Sequence, residues 1–307
     1  LVASALLVFM TSMNSFSAPY IFAGGFRVLS LGIYTSKLNG DMEMAVTQTV
    51  ILSGFSLGFL FWMRYYEGRR KYAMSGKGVV AKRREVKGRW LRFIIGAVGI
   101  IMVVILLLPH MTILLMSFVK DGSWTFQILP TQYTTENYGR LLQDPSVWEP
   151  IKNSINMAVL ATIADLVIGV TAAYLVVKGT FRGRRILDAL VMVPWALPGT
   201  VVAINLIVAF SKGTPFSFGQ VLIGSFWLLP IAYFIRHLPI VFRASSAVLE
   251  QLDDSLEEAA RNLGAGAFYA FRRVTLPLIG PGVLAGTLLA FVIALGEFVA
   301  SILLYVY

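Results

Sequence analysis

Long apolar runs constrain this chain more than any other feature of its sequence. A helix needs about 20 largely apolar residues to cross a bilayer. Six complete candidate segments, after one partial segment at 1–15, lie at residues 44–63, 93–118, 153–177, 187–210, 218–241 and 278–303. Of the 307 residues, 57% are apolar and 14% are charged, whereas a soluble domain has about 45–50% and about 25%. The sequence therefore predicts an all-α, polytopic transmembrane bundle in a lipid bilayer.

The fourth complete segment contains two internal prolines. Pro194 and Pro198 are followed by Gly199, a combination that would break a soluble helix. In a membrane bundle, neighbouring helices can satisfy the carbonyl groups that proline leaves unpaired. We therefore expect one kinked helix over residues 187–210.

Basic residues accumulate in alternate connections between the apolar segments. Of the 26 Lys and Arg residues, 20 lie within residues 64–92, 178–185 and 236–277. The positive-inside rule places such connections in the cytoplasm, so the predicted cytoplasmic loops are 64–92, 178–185 and 242–277. Membrane topology thus accounts for the net charge of +10, and no nucleic-acid partner is indicated.

A weak internal repeat suggests two homologous halves. At an offset of 282 residues, five residues match identically: Leu6, Leu7, Phe9, Phe16 and Ala18 fall on Leu288, Leu289, Phe291, Phe298 and Ala300. We predict the end of a first half at 1–66, a basic cytoplasmic linker at 67–92, and a second half lacking its last span at 93–307. Because apolar sequence begins at Leu1 and continues almost to Tyr307, we expect both ends to be truncated.

One loop between apolar segments has the pattern of a short amphipathic helix. Ser255 precedes Glu258 by three residues, which predicts a capping box, and Gly264 is a natural residue to follow a helix end. The helix between them would have about two turns. An apolar stripe is predicted from Leu252, Leu256, Ala259, Ala260 and Leu263, and the charged residues, Glu257 among them, fall largely elsewhere.

The same loop carries a motif with specific spacing. Glu258-Ala259-Ala260 is followed after three residues by Gly264, and after nine more by Val274-Thr275-Leu276-Pro277. This spacing resembles the signature of permease subunits of type I ABC importers, with Val274 where isoleucine is usual. The resemblance implies a MetI-like permease fold in the bacterial plasma (inner) membrane. It also implies that an ATPase docks on Ser255, Glu258, Ala259, Ala260, Gly264, Leu276 and Pro277.

The resemblance also implies the partners. A separate cytoplasmic ATPase dimer would bind ATP and Mg, and a solute-binding protein would deliver the substrate on the outer side. The chain has no G-x-x-x-x-G-K-[ST] motif, since Gly76-Lys77-Gly78 lacks both the spacing and the hydroxyl residue. With no Cys, two His and no catalytic constellation, we predict a transport subunit rather than an enzyme, with no catalytic residue, metal ligand or cofactor of its own.

Polar residues inside predicted spans are candidates for the translocation pathway. Asn156 and Asn205 fit interhelical hydrogen bonds and a pathway equally well. Asp165 is expected to be buried against a partner helix or along the pathway rather than exposed to lipid. Glu297 is expected near the outer part of its span, in a structural pair or in the pathway, and His237 at the cytoplasmic interface. Asn14 is a further candidate in the partial first span.

The substrate is predicted only from resemblance. Fused permease halves resemble the ferric iron permeases and their relatives for polyamines, thiamine and aminoethylphosphonate, and the external stretch 14–22 looks closest to the iron group. Capping alone remains an alternative role for Glu258. A membrane scaffold or channel without an ATPase is an alternative of another class, and it predicts that the acidic face of the loop helix tolerates substitution.

Overall fold

The computed structural model describes residues 8, 9, 12, 15–22, 24–69 and 88–305, and within them every regular element is helical. The helices are α1 Ser17–Phe22, α2 Leu29–Leu38, α3 Met42–Arg69, α4 Arg89–Ser117, α5 Glu136–Gln143, α6 Pro145–Val177, α7 Arg184–Ala196, α8 Gly199–Phe210, α9 Leu228–Gln251, α10 Asp254–Asn262, α11 Ala267–Ala270, α12 Leu276–Leu295 and α13 Val299–Leu304. A 3₁₀ turn spans Pro215–Ser217, and a π-helical turn, Phe271–Thr275, joins α11 to α12. The predicted all-α membrane fold is confirmed.

The described residues form two compact units. One unit draws on residues 1–71 and 154–307, and the other on residues 72–153. In the second unit, α4 is followed by a segment that is fixed to α5 by side-chain hydrogen bonds. Asn137 donates from its amide to the carbonyl oxygens of Ser117 and Val119, at 3.0 Å each, and the hydroxyls of Ser117 and Tyr138 lie 2.7 Å apart.

In the larger unit, α9 is the central helix, and glycines on its neighbours allow close packing. A Cβ at Gly286 of α12 would lie 2.3 Å from the Cβ of Ala244, and one at Gly282 would lie 2.3 Å from Val248. Small residues at contacts of this kind let the backbones of membrane helices approach closely. α12 therefore packs directly against the second half of α9.

A cluster of buried apolar side chains surrounds α8. Its residues from Gly199 to Ile204 are all buried, and the helix packs against α3 and α13. α3 is preceded by α2, and residues close in sequence determine the turn between them. Gly40 adopts the left-handed region (φ 77°), and the Asp41 carboxylate accepts a hydrogen bond from the Met44 N–H at 3.0 Å at the start of α3. α2, α3 and α13 thus pack around α8.

Within the described residues, four helices are long and apolar enough to span a membrane. They are Met42–Trp62 within α3, α4, α6, and the continuous run Ala267–Leu295. The first three confirm the predicted spans at 44–63, 93–118 and 153–177. The last begins before the predicted start at residue 278 and stops at Leu295, because residues 296–298 leave the helix before α13.

The prediction of one kinked helix over 187–210 is wrong. α7 and α8 are separate helices that meet at 110°. Pro198 has no N–H and disfavours helical dihedrals in the residue before it, and Leu197 is extended (φ −85°, ψ 132°). The second proline therefore breaks the helix, whereas Pro194 is accommodated inside α7.

The prediction of a span at 218–241 is wrong at both ends. Residues 218–227 form turns, and α9 runs from Leu228 to Gln251. Phe218, Gly219 and Gly224 have positive φ angles of 52°, 77° and 77°, which a right-handed helix cannot contain. Apolar composition alone could not distinguish these turns from a helix.

The predicted linker lies mostly outside the described residues. Residues 67–69 belong to the end of α3, residues 89–92 belong to the start of α4, and residues 70–87 are not described. Asn14 and most of the partial first span, including Leu6 and Leu7 of the repeat, also lie outside the described part. The division at 67–92 into two halves stays a prediction.

Candidate functional site

The loop helix α10 begins with a different cap from the one that the sequence predicted. Asp253 is the N-cap residue (φ −66°, ψ 125°), and its carboxylate accepts a hydrogen bond from the Ser255 N–H at 2.9 Å. The predicted capping box between Ser255 and Glu258 is therefore wrong, because Ser255 lies inside the first turn. Asp caps helices as well as Ser does, so the register could not be decided from residue types alone.

The other end of α10 confirms the prediction that Gly264 follows the helix end. Its φ angle is 88°, and its N–H donates to the carbonyl of Arg261 at 2.9 Å. The Ala265 N–H donates to the carbonyl of Ala260 at 3.1 Å. These two bonds form a Schellman motif, which favours glycine at the left-handed position. The helix therefore ends sharply before a turn that leads to α11.

The two faces of α10 are not divided as the sequence predicted. Glu257, which was assigned to the polar face, is buried, and it accepts hydrogen bonds from the Tyr174 hydroxyl at 2.6 Å and from Arg261 at 3.1 Å. Leu256 and Leu263, assigned to the buried stripe, are 44% and 90% exposed. The buried side of α10 thus holds a carboxylate, and its outward side holds large apolar groups.

The outward side of the loop includes most of the motif. Ser255, Glu258, Ala259 and Gly264 are exposed and Ala260 is partly buried, while Leu276 and Pro277 are exposed at the start of α12. α10 also contacts the π-helical turn that leads into Leu276. A concavity of about 480 Å³ lies at the end of α10, lined by Ala260, Leu263, Gly264, Ala265, Gly266 and Tyr269. The loop therefore presents a partly apolar surface and a shallow recess.

The candidate pathway residues fall into two groups. Asp165 is fully buried in α6, and neither of its carboxylate oxygens has a hydrogen-bond partner in the described part of the chain. This burial is what the sequence predicted. Asn156 and Asn205 are exposed, although Asn205 lies between the buried residues Ile204 and Leu206. The roles of all three in a pathway stay predictions.

Glu297 lies in a group of ionisable side chains, Arg236, His237 and Glu297, that we call the ionic junction. Its carboxylate forms an ion pair with Arg236 of α9 and lies 3.6 Å from Nε2 of His237. It also accepts a hydrogen bond from the Ala300 N–H at 3.0 Å, close to the start of α13. The exposed fraction of the Glu297 side chain is 4%. The structural pair that the sequence allowed is therefore present.

The same junction corrects the predicted position of His237. Fifteen residues separate Arg236 from the end of α9 at Gln251, which is about 22 Å of helix at 1.5 Å per residue. His237 is 3% exposed, so it does not lie at an interface next to the loop motif. The prediction failed because it assumed that the helix ended near residue 241.

Two helix breaks meet at this junction. A Cβ at Gly199, the first residue of α8, would lie 2.7 Å from a guanidinium nitrogen of Arg236 and 3.1 Å from the Cβ of Val299. The hydroxyls of Tyr233 and Ser301 lie 2.6 Å apart. The Arg236–Glu297 pair therefore joins α9 to the break before α8 and to the break before α13.

Comparison with known proteins decides the family. Residues 165–306 match the family model described as the binding-protein-dependent transport system inner membrane component. The chain is also 36% identical over 168 residues to the molybdenum transport system permease protein of Escherichia coli, covering 53% of this chain and 73% of that protein. The chain belongs to this family. It is thus a permease of the type I ABC importer class, and its relatives are named as permease proteins of transport systems.

Other relatives match almost all of this chain. A probable ABC transporter permease of Sinorhizobium fredii is 32% identical over 99% of this chain and 54% of that protein. A putative ferric transport system permease protein of Haemophilus influenzae is 30% identical over 98% of this chain and 47% of that protein. The chain therefore spans about half the length of these relatives.

A solved structure supports the fold. The permease aligns with a chain of a bacterial ABC transporter involved in the import of the acidic polysaccharide alginate, with a TM-score of 0.51 and 23% identity. The alignment covers 69% of this chain and 74% of that chain. It supports the MetI-like fold of the permease.

Sequence reasoning missed three side chains that contact the candidate site. Tyr174 contacts the loop from the last turn of α6, Lys178 contacts it from the residue directly after α6, and Arg236 pairs with Glu297. These contacts join residues that are far apart in the sequence; Tyr174 and Glu257, for example, are separated by 83 positions. Their one visible signal was the presence of polar groups near the ends of apolar segments, which did not identify partners.

Proposed function

We propose that the permease forms the membrane pathway of an ATP-driven solute importer and that a separate ABC ATPase docks on loop 245–277. The observation that carries this proposal is the outward face of α10. There, Leu263 is 90% exposed beside the recess at Gly264. Exposed apolar groups around a recess are typical of a surface that a partner covers.

The charge of α10 favours a protein partner over the lipid surface. Asp253 and Glu258 are exposed at the start of the helix, whereas the exposed Asp254 is paired with Lys178. An anionic leaflet attracts Lys and Arg and repels carboxylates. A lipid anchor would therefore be expected to carry the opposite charge, whereas an ATPase surface can supply basic groups. This argument also weighs against a scaffold that uses the loop as a membrane anchor.

In this proposal the partners divide the work. The ATPase dimer binds ATP and Mg, and an extracytoplasmic solute-binding protein delivers the substrate. By the positive-inside rule, loops 64–92, 178–185 and 242–277 face the cytoplasm. ATP binding would draw the docked loop helices together and move the attached spans, as in rigid-body switching. Asn156, Asp165, Asn205 and Glu297 are the proposed polar residues along or beside the pathway.

Ferric iron is the proposed substrate. The support is the match to the ferric permease relative over 98% of this chain, whereas the match to the molybdenum permease covers 53%. Polyamine, thiamine and aminoethylphosphonate import would use the same mechanism. Uptake of radiolabelled ferric iron, with molybdate and putrescine in parallel, tests the choice: uptake of another solute but not of iron would contradict it.

The docking role is tested by co-purification of the intact permease with its ABC ATPase, comparing wild type with Glu258→Ala and Gly264→Asp. We expect both variants to insert into membranes and to lose the ATPase or its coupled activity. Gly122→Asp is a matched control for the second, because Gly122 also has a positive φ (72°) and no described atom lies within 4 Å of the point that a Cβ would occupy there. Glu136→Ala serves as the control for the first.

The outcomes separate the alternatives. If both loop variants retain binding and coupling, the docking role is wrong and Glu258 has no function beyond its place in α10. If wild type binds no ATPase either, the scaffold or channel interpretation replaces the importer. If Gly122→Asp loses the ATPase as strongly as Gly264→Asp, the effect comes from backbone strain in general.

A further inference from the structure

The end of α6 holds the docking loop at two points. The Tyr174 hydroxyl donates to Glu257 of α10 at 2.6 Å, and the Tyr174 ring packs edge-on against Phe271 with centroids 4.9 Å apart. Phe271 begins the π-helical turn that leads into α12. We call residues 245–277 the docking loop. One side chain of α6 therefore contacts both α10 and the π-helical turn of this loop.

Lys178 lies one helical turn beyond Tyr174 and joins the same loop at its beginning. Residues four apart lie on the same face of a helix. The Lys178 ammonium donates to the carbonyl of Leu252 at 3.2 Å and forms an ion pair with Asp254. Leu252 is the C-cap residue of α9 and Asp254 is the first residue of α10. Lys178 thus bridges the junction of α9 and α10 and satisfies a carbonyl that the helix end leaves unpaired.

The Tyr174 contact matters energetically because Glu257 is a buried charge. The exposed fraction of its side chain is 10%, and its two donors are Tyr174 and Arg261. Arg261 belongs to α10 itself and is 52% exposed. Of the two donors, Tyr174 alone ties Glu257 to another helix. Hydrogen bonds to ionised groups are among the strong ones in proteins, and leaving a buried charge without them is costly.

We propose that Tyr174 and Lys178 are positioning residues that fasten the docking loop to α6. This inference rests on the proposed ATPase docking. Movement of a docked ATPase would then reach α6 directly, as well as α9 and α12, which are joined to the loop through the backbone. Since α6 also carries Asn156 and Asp165, the clamp of Tyr174 and Lys178 connects the docking loop to the helix that holds two pathway candidates.

Tyr174 contacts residues of the loop that do not line the recess at Gly264. Glu257 points towards α6, whereas Leu263 and the recess at Gly264 lie on the exposed side. Loss of the clamp should therefore spare ATPase binding and impair the transmission of movement. A residue that only shaped the docking surface would lose both together.

The test uses Tyr174→Phe and Lys178→Met in the intact permease, reconstituted with its ABC ATPase. Tyr174→Phe keeps the ring that contacts Phe271 and removes one hydroxyl. Lys178→Met keeps the apolar stem and removes the charge. Tyr133→Phe and Lys212→Met are matched controls on exposed residues, for which no contact with the docking loop is described.

Two measurements are made on each variant. The first is the amount of ATPase that co-purifies with the permease. The second is the effect of ATP with vanadate on the labelling rate of a single introduced cysteine by a membrane-impermeant maleimide. These 307 residues contain no Cys, and any Cys elsewhere in the intact permease is first replaced by Ser. Ser154→Cys reports on α6, and Ser211→Cys reports on the end of α8; both residues are exposed.

We expect ATPase binding within about twofold of wild type. The nucleotide-dependent change at Ser154→Cys should fall about fivefold or more, the lower range of typical coupling between sites, with a smaller loss at Ser211→Cys. The control variants should keep both responses. Combining Tyr174→Phe with Glu257→Gln should add little to either change alone, because both remove one interaction.

Three results would overturn the inference alone while the importer stands: an unchanged Ser154→Cys response in both clamp variants, loss of the ATPase in them, or equal losses at the two reporters. If the parent complex shows no nucleotide response at either reporter, or binds no ATPase, the proposed function itself fails. The substrate need not be known for any of these outcomes.

Discussion

The docking loop and the ionic junction differ in what determines their structure. In the docking loop, the two ends of α10 are set by residues close in sequence, with the cap at Asp253 and the Schellman turn at Gly264. Most of the predicted docking residues are exposed, whereas Glu257 is buried. The ionic junction pairs Arg236 of α9 with Glu297, which lies in the break before α13 and is 4% exposed. Local rules thus leave the loop surface available for a partner, whereas the junction uses its polar groups to hold the permease together.

The largest expected effect on permease stability is at the ionic junction. Arg236→Met leaves the 4%-exposed Glu297 carboxylate without its cationic partner. Breaking one side of a buried pair costs about 3–5 kcal/mol of folding free energy. We expect a large loss of folded permease in detergent, measured by thermal unfolding and size-exclusion chromatography.

A double variant sharpens this prediction. Arg236→Met combined with Glu297→Leu removes both charges, and apolar replacement of a buried pair is often neutral or stabilising. The double variant should therefore recover much of the stability that the single variant loses. If the double variant is less stable than Arg236→Met, the Ala300 N–H that Glu297 caps matters more than the ion pair.

A smaller effect is expected where α8 meets the same junction. In Gly199→Ala the new Cβ would lie 2.7 Å from Arg236 and 3.1 Å from Val299, and overpacking of a dense site costs about 1–3 kcal/mol. Gly96→Ala in α4 is the matched control, because no described atom lies within 4 Å of that position. A lower thermal midpoint for Gly199→Ala but not for Gly96→Ala is expected; equal midpoints would show that Arg236 can move aside.

The difference between the two regions also explains how far sequence reasoning reached. It identified the loop helix and the left-handed Gly264 because those follow from local patterns. It misplaced Glu257 and the N-cap because several acidic residues lie side by side there, and the partner that selects one of them, Tyr174, is 83 positions away. The Arg236–Glu297 pair was missed for the same reason: contacts between distant helices depend on packing that no local pattern contains.

In the docking loop, Gly264→Ala should affect coupling more than stability. A left-handed residue other than glycine costs about 1–2 kcal/mol, and no described atom lies within 4 Å of the added methyl group. The strain lies at the end of α10, so the thermal midpoint should fall no further than in Gly122→Ala while ATPase co-purification falls. Gly122→Ala carries the same kind of strain (φ 72°) and should bind the ATPase normally.

The smallest effect on stability is expected at Leu263, and it tests the comparison most directly. Because this side chain is 90% exposed, Leu263→Ala removes few contacts within the permease, and surface substitutions usually change stability by less than about 0.5 kcal/mol. An apolar group central to an interface can nevertheless cost about 2 kcal/mol of binding when truncated. Leu142→Ala, at a site that is 75% exposed in α5, is the control. If Leu263→Ala alone weakens ATPase binding and leaves stability unchanged, this leucine belongs to a partner surface. If stability falls instead, the leucine supports the fold, and the contrast between the docking loop and the ionic junction is wrong.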